Sequence, residues 1–153
     1  MQKQDNTMHQ FDAIYGEISN VYHEINRKLG LTDTESIVLY SVAVDENVSQ
    51  KAICSLSGLS KQTINSAIKK MITDGILEPL SGQKNENLIP TQKGQKIIKE
   101  KISILIEMEN RIFTSWKPEE RKIFMCIMNV TFFFLLFEQG ARHFYFYWAL
   151  HIM

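Results

Sequence analysis

Residues 49–75 constrain the fold of this chain more than any other stretch, because they read as two short amphipathic helices joined by a tight turn. Ser49 and Ser60 stand where each helix needs an N-cap, and Gly58 stands where a left-handed residue would end the first helix. Apolar residues recur at helical spacing in both segments: Ala52, Ile53 and Leu56 in the first, and Ile64, Ala67, Ile68, Met71 and Ile72 in the second. Since Gly75 then ends the second helix, the pattern predicts a helix-turn-helix.

The second helix has a polar face opposite its apolar stripe. Gln62, Ser66, Lys69 and Thr73 form this face, and Thr63, Asn65 and Lys70 flank it. Amides can pair with adenine edges, hydroxyls can bond bases or phosphates, and Lys neutralises phosphate. Any surface helix has a polar face, but residues 47–73 contain no Asp or Glu and do contain Lys51, Lys61, Lys69 and Lys70. A merely solvated face usually mixes both signs of charge, so the pattern favours DNA binding.

A short β-hairpin is predicted directly behind this helix. Residues 76–80 and 87–90 read as its strands, and residues 81–86 as its polar tip, with Lys84 as the tip's cation. Pro79 and Pro90 cannot donate to a β-ladder, so we expect a two-stranded edge element. A hairpin in this place completes a winged helix, and a surface hairpin without a role in DNA binding is the alternative.

Three stretches occur in a characteristic order: "LTDTE" opening a helix at Leu31, then "SQKAICSLSGLSKQTINSAIKKMITDGIL", then "LIPTQKGQKI". Residues 29–98 thereby resemble the bacterial MarR-type winged-helix transcription regulators. The resemblance implies a homodimer whose terminal helices pair and whose two recognition helices enter successive major grooves of a pseudo-palindromic operator. The family's wing commonly carries an Asp-Arg pair, and the matching stretch here is Lys84, Asn85, Glu86 and Asn87.

The predicted DNA-binding residues come from the first helix of the motif, the recognition helix and the wing. By position, the resemblance gives Ser60, Lys61, Gln62, Thr63, Ser66 and Lys69 the recognition-helix roles. The complete predicted set is Ser49, Gln50, Ser60, Lys61, Gln62, Thr63, Asn65, Ser66, Lys69, Lys70, Lys84, Asn85 and Asn87. The formal net charge is zero, yet residues 51–101 hold nine Lys and four acidic residues. A localised basic region of this kind fits a polyanion as partner.

The flanking segments have the pattern of association helices. Phe11, Ile14, Ile18, Val21 and Ile25 form an apolar stripe, one long helix is expected from Thr91 to Trp116, and another after Pro118. Packing of these stripes within one chain is the alternative. The predicted fold class is mostly α with a small β-hairpin wing. We expect one MarR-like domain over residues 1–153, with a winged helix at 31–90, dimerisation helices at 8–29 and 91–137, and an aromatic tail at 138–153.

The C-terminal region is unusually apolar. Residues 123–137 carry no charge, but this run of 15 residues is shorter than the roughly 20 that a membrane span requires. The sequence therefore argues against a membrane span. Three interpretations of the tail are consistent with the sequence. They are a dimer helix, a segment that contacts a membrane surface, and a sequence altered by a reading-frame change.

Sites for chemistry are not recognisable. The four His residues show no metal-ligand spacing, and no nucleophile elbow, P-loop or dinucleotide motif occurs, so we expect no catalytic residue, cofactor or metal. Cys54 and Cys126 without a secretory signal indicate the cytoplasm. The favoured function is a sequence-specific transcriptional regulator that binds double-stranded DNA. It would act as a dimeric repressor, and a small-molecule effector would release it from the DNA. The alternative is a protein-interaction or membrane-associated module whose winged helix no longer binds DNA.

Overall fold

The chain divides into two compact units, Met1–Ile106 and Glu107–Met153. The structure is a computed structural model and describes residues 6–45, 48–80 and 87–138. Of the predicted site residues, Lys84 and Asn85 lie outside the described residues, as does the tail from residue 139 onward. That both units act as one MarR-like domain, with dimerisation helices at its ends, stays a prediction.

Helices and a small sheet alternate along the first unit. The elements are α1 (Asn6–Lys28), α2 (Asp33–Val44), β1 (Val48–Ser49), α3 (Gln50–Ser57), α4 (Lys61–Thr73), β2 (Leu77–Pro79), β3 (Asn87–Pro90), α5 (Gln92–Ile97), a π-helical turn (Ile98–Ile102) and the beginning of α6 (Ser103–Ser115). The predicted class, mostly helical with a small β wing, is confirmed.

The core of this unit lies where α2, α3 and α4 meet the sheet. Its buried apolar side chains are Val38, Leu39, Val42, Val48, Ile53, Ile64, Ile68, Met71, Leu77, Leu88, Ile102 and Leu105. The apolar stripe predicted for the second helix of the motif is buried at Ile64, Ile68 and Met71. Two predicted core positions are wrong, because Leu56 in the last turn of α3 is 70% exposed and Ile72, at the edge of the α4 stripe, is 38% exposed.

Local capping fixes the ends of the motif helices as the sequence predicts. The Ser49 hydroxyl accepts the Ala52 N–H at 3.2 Å, and the Ser60 hydroxyl accepts the Thr63 N–H at 3.1 Å. Gly58 has a φ of +66°, a left-handed conformation that costs glycine little, and it ends α3. The tight turn between α3 and α4 follows from these residues.

The sheet corrects one expectation, because it has three strands rather than two. Its order is β1-β3-β2, and β1 pairs antiparallel with β3 through Val48 opposite Leu88 and Ser49 opposite Asn87. Proline does not oppose this pairing, since Pro90 lies at the other end of β3, opposite Leu77, and Pro79 lies on the edge strand β2. Two residues of β1 are too few to show a strand pattern in the sequence.

The long helix predicted from Thr91 to Trp116 is interrupted. A π-helical turn separates α5 from α6, and the Ser103 N–H bonds the Ile98 carbonyl five residues back. The Ser103 hydroxyl also donates to that carbonyl at 3.4 Å. Ile102 and Leu105, on either side of the end of this turn, are both buried. The extra residue in the turn shifts the helical register there, a feature that apolar periodicity alone does not reveal.

The second unit contains the last part of α6 and the helix α7 (Pro118–Glu138). The predicted start after Lys117 and Pro118 is confirmed, and the Lys117 N–H donates to the Glu120 carboxylate at 2.7 Å. Rings of Phe113, Trp116 and Phe124 contact one another with centroid distances of 5.1 to 6.1 Å. Among the described residues, no helix combines the length and apolarity needed to cross a bilayer.

Gly94 should be essential for the packing of the winged helix. A Cβ at this position would overlap the Ile76 carbonyl oxygen and lie 3.1 Å from the Pro90 Cβ. We expect Gly94→Ala to lower the free energy of unfolding, measured in urea, by about 1–3 kcal/mol, the usual range for overpacking. Gly16→Ala on α1 is the matched control, because a Cβ there meets no atom within 4 Å. It should raise helix stability by about 0.5–1 kcal/mol, and equal effects of both substitutions would contradict the assignment.

Candidate DNA-binding surface

The recognition helix α4 presents a continuous polar face to solvent. Gln62, Ser66, Lys69 and Thr73 are exposed along it, and so are Lys61 and Thr63 near its N-terminus. Within the described residues, neither Lys61 nor Lys69 forms an ion pair. The helix therefore offers an amide, hydroxyls and two uncompensated cations, which together can read base edges and neutralise phosphates.

Several predicted site residues have structural duties as well. The hydroxyls of Ser49 and Ser60 serve as helix caps, and the Ser60 hydroxyl also lies 2.7 Å from that of Thr63. Gln50 and Asn65 are half-buried, and half-buried Asn87 pairs with Ser49 in the sheet. The structure thus brings the start of β3 beside the start of α3. DNA contacts by any of these side chains stay predictions.

Lys70 differs from the other lysines of α4 because it is paired. Its Nζ donates to Glu35 Oε1 at 2.8 Å, and the other carboxylate oxygen accepts the Thr32 N–H at 3.0 Å. The Lys70 bond is the main reason that the pKa of Glu35 is lowered, and the Thr32 N–H adds to it. The pKa of Lys70 is raised by the same bond. An ion pair therefore links α2 to the recognition helix.

The C-terminal end of α4 is fastened to the start of α5. The Thr91 hydroxyl donates to the Gly75 carbonyl at 2.6 Å and accepts the Gly94 N–H at 3.2 Å. The Lys93 ammonium donates to the Asp74 carbonyl at 2.8 Å. These bonds give partners to the carbonyls of Asp74 and Gly75, the two residues that follow the last turn of α4. The C-terminal end of the recognition helix is thus held by these bonds, and the helix is also held along its buried face.

A polar cluster joins α1 to the first turn of α2. Asp33 accepts bonds from the Asn26 amide at 2.9 Å and lies 2.8 Å from His23 Nδ1. The Asn26 bond, followed by that of His23, lowers the pKa of the Asp33 carboxyl. Asn26 itself is buried. The cluster fixes where α1 leaves the winged helix.

Sequence reasoning missed Glu35 and Lys93 as partners of the recognition helix. The Thr32-Glu35 capping box has a clear local signature, but Lys70 lies 35 residues away. Nothing local identifies that partner. For metals, the described residues contain no group of three or more His, Cys, Asp or Glu side chains that could hold an ion.

The helix-turn-helix lies in a segment that matches a known protein family. Residues 29–84 match the sequence model of the MarR family. Over this segment the chain is similar to the MarR family. The match covers α2, β1, the helix-turn-helix and β2, and the resemblance inferred from the sequence is thereby confirmed. No curated protein matches the chain in sequence.

Solved structures of MarR-type regulators share this fold. A MarR family regulator from Neisseria meningitidis is 18% identical, with a TM-score of 0.79 over 90% of this chain and 99% of that one. MepR of S. aureus in complex with DNA is 15% identical, with a TM-score of 0.64 over 86% of this chain and 99% of that one. PcaV of Streptomyces coelicolor with its natural ligand is 14% identical, with a TM-score of 0.60 over 86% and 96%.

Acid should weaken the link between α2 and the recognition helix. The folded pKa of Glu35 lies below its ordinary value of 4.5. Its charge therefore contributes stability that is fully present above that value and is lost as the pH falls through the folded pKa. We expect the wild-type free energy of unfolding to fall across this window, and that of Glu35→Gln to fall less. Gln can replace Glu in the capping box, so the variant retains the cap.

Urea titrations at a series of pH values measure this difference. Glu17→Gln is the control, because Glu17 is an exposed carboxylate on α1 that has no ion pair among the described residues. It should retain the wild-type pH dependence. Parallel pH curves for wild type and Glu35→Gln would show that the pair does not stabilise the fold.

Proposed function

We propose that this protein is a sequence-specific DNA-binding transcriptional regulator that acts as a homodimer. The observation that carries the proposal is the acid-free polar face of α4, exposed on a MarR-family winged helix. Lys61 and Lys69 supply charge for phosphates, and Gln62 and Ser66 supply groups that can read bases. The fold shared with MepR, solved as a DNA complex, supports this use of the surface.

The dimer is inferred from apolar surface on α1. Ile14, Ile18 and Val21 lie on one face of this helix and are 56%, 51% and 55% exposed. In the second unit, α7 separately exposes Ile123 and Ile127. Apolar surface of this kind needs a covering partner, and a second copy would supply one to α1 through the same stripe.

Repression and release by a small molecule are the finer parts of the proposal. A dimer would place two α4 helices on half-sites about 10 base pairs apart, which can exclude other proteins from a promoter. PcaV, which shares the fold, was solved with a natural ligand, and this supports an effector for the present chain. Since a regulator acts where the DNA lies, we infer that this protein works in the bacterial cytoplasm.

Two substitutions in α4 test the function by separating base reading from phosphate binding. Gln62→Ala should weaken binding to the DNA upstream of the protein's own gene by about 1–3 kcal/mol and leave binding to mixed-sequence duplex nearly intact. Lys69→Ala should weaken binding to both duplexes and make the slope of log affinity against log salt shallower by about 1. Binding isotherms at several salt concentrations provide both quantities.

The two variants serve as controls for each other, because both shorten an exposed side chain of the same helix face. If they behave alike on both duplexes, the separation of roles is wrong. If the wild type binds neither duplex in a salt-dependent way, the proposed function is wrong. An interaction module without DNA binding would be the better reading in that case.

One substitution in α1 tests the dimer. Ile18→Glu places a charge in the middle of the exposed stripe, so we expect sedimentation to show dissociation and binding to upstream DNA to weaken by at least about tenfold, or 1.4 kcal/mol. Asn20→Glu adds the same charge on the opposite side of α1 and should leave the dimer intact. A wild-type protein that sediments as a monomer at micromolar concentration would refute the dimer.

A further inference from the structure

The ion pair between Glu35 and Lys70 divides the lysines of the recognition helix into two classes. Lys69 and Lys70 are neighbours in sequence, and both are exposed. At 100° per residue, Lys69 lies in the middle of the polar face and Lys70 lies on its flank. Within the part of the chain that the structure describes, Lys70 and not Lys69 has a carboxylate within hydrogen-bond distance. The two side chains therefore differ in the net charge that they can offer to DNA.

Glu35 is arranged to hold this lysine. Its Oε2 accepts the Thr32 N–H at 3.0 Å, and the Thr32 hydroxyl accepts the Glu35 N–H at 3.2 Å. The capping box thus restrains the carboxylate and leaves Oε1 free to accept from Lys70 at 2.8 Å. The Glu35 side chain is only 18% exposed, whereas that of Lys70 is 63% exposed. A restrained acceptor loses little freedom when it forms a further bond, which favours the pair over a contact between two flexible side chains.

The Lys70 ammonium has three N–H donors, but a phosphate that it bound while paired would lie beside the Glu35 carboxylate, so contributing its full charge to DNA would require Lys70 to leave Glu35. The carboxylate would then remain uncompensated beside a polyanion, in a position where water solvates it poorly. A phosphate contact by Lys70 would replace one ion pair by another and add a nearby negative charge. We therefore expect Lys70 not to add to the number of phosphates that the surface neutralises. The slope of log affinity against log salt measures that number.

We propose that Glu35 withholds Lys70 from the DNA backbone, so that Lys70 is a positioning residue that fixes α4 on α2, and Glu35 limits the sequence-independent affinity of the protein. This inference rests on the proposed function. It reassigns one of the predicted DNA-binding residues and gives a role to a carboxylate on a different helix.

Glu35→Gln tests the proposal in the full chain. Gln retains the capping box and removes the charge that holds Lys70. On a mixed-sequence duplex, the slope of log affinity against log salt should become steeper by about 0.9, which corresponds to one further neutralised phosphate. The affinity lost between about 50 and 200 mM salt should then be about 3.5-fold larger than in the wild type. A purely structural role for Glu35 would not steepen this slope.

Three further variants identify the source of the change. Glu35→Gln combined with Lys70→Gln should restore the wild-type slope, because the freed cation is gone and the net charge equals that of the wild-type pair. Glu24→Gln is the matched control, since it also converts a paired carboxylate to an amide and frees Arg27, 2.7 Å away, but on α1. It should leave the slope unchanged. Lys69→Gln should make the slope shallower by about 0.9.

The outcomes separate the inference from the function on which it rests. If Lys69→Gln lowers the slope while Glu35→Gln leaves it unchanged, DNA binding stands and the withholding of Lys70 is refuted. If the double variant is shallower than the wild type, Lys70 contacts phosphate in the wild type, which also refutes it. If Glu24→Gln steepens the slope as much as Glu35→Gln, the change follows from the total charge of the protein and not from freeing Lys70, and the inference is refuted. If the wild type shows no salt-dependent binding, the proposed function fails together with the inference.

Discussion

The hydroxyl of Thr91 joins the recognition helix to the rest of the winged helix. It donates to the carbonyl of Gly75, just after the end of α4, and accepts the Gly94 N–H, so one side chain joins the turn after α4 to the start of α5. The same junction lets the backbone of Gly94 approach the Ile76 carbonyl more closely than any side chain would permit. Because the strands β2 and β3 lie between these two helices in the chain, the junction also fixes where the wing starts and returns. This contact acts together with the buried face of α4 and the Lys70–Glu35 pair to hold the recognition helix, on which the proposed function depends.

The parts of the fold that could be predicted are those determined by short stretches of chain. Caps at Ser49 and Ser60 and the left-handed Gly58 each depend on residues within one helical turn, and the stripe of α4 on a repeat within one helix. The pairing of β1 with β3 could not be predicted, because it joins Val48 to a residue 40 positions later, Leu88, through only two residue pairs. Its stability comes from burial of both side chains, which a local pattern does not reveal.

In the candidate site, too, the features set by short stretches of chain could be predicted and those set by distant residues could not. The residue types and spacing of α4 identified an exposed polar helix face, because helical periodicity fixes which side chains lie opposite the core. They could not distinguish Lys69 from Lys70, since this depends on a carboxylate from α2. Lys93 could not be recognised either, because nothing in the sequence distinguishes it from the other lysines between residues 51 and 101. In the structure its ammonium donates to the carbonyl of Asp74. Counting charges along the sequence therefore overstates the charge available to DNA.

Charge withheld within the protein has a functional consequence for a regulator. Affinity from lysine-phosphate contacts is the same for every sequence, so each such contact strengthens binding to the whole genome as much as to one operator. A formal net charge of zero, with nine of the 17 Lys and Arg residues between residues 51 and 101, limits that background. Pairing Lys70 with Glu35 lowers it further and at the same time fixes the helix that reads bases. Because withholding one phosphate contact weakens both kinds of binding alike, it reduces the protein held on the genome without changing the ratio of specific to non-specific binding. Rigid placement of the helix that reads bases raises that ratio, which decides how fully a few copies of a regulator occupy one site.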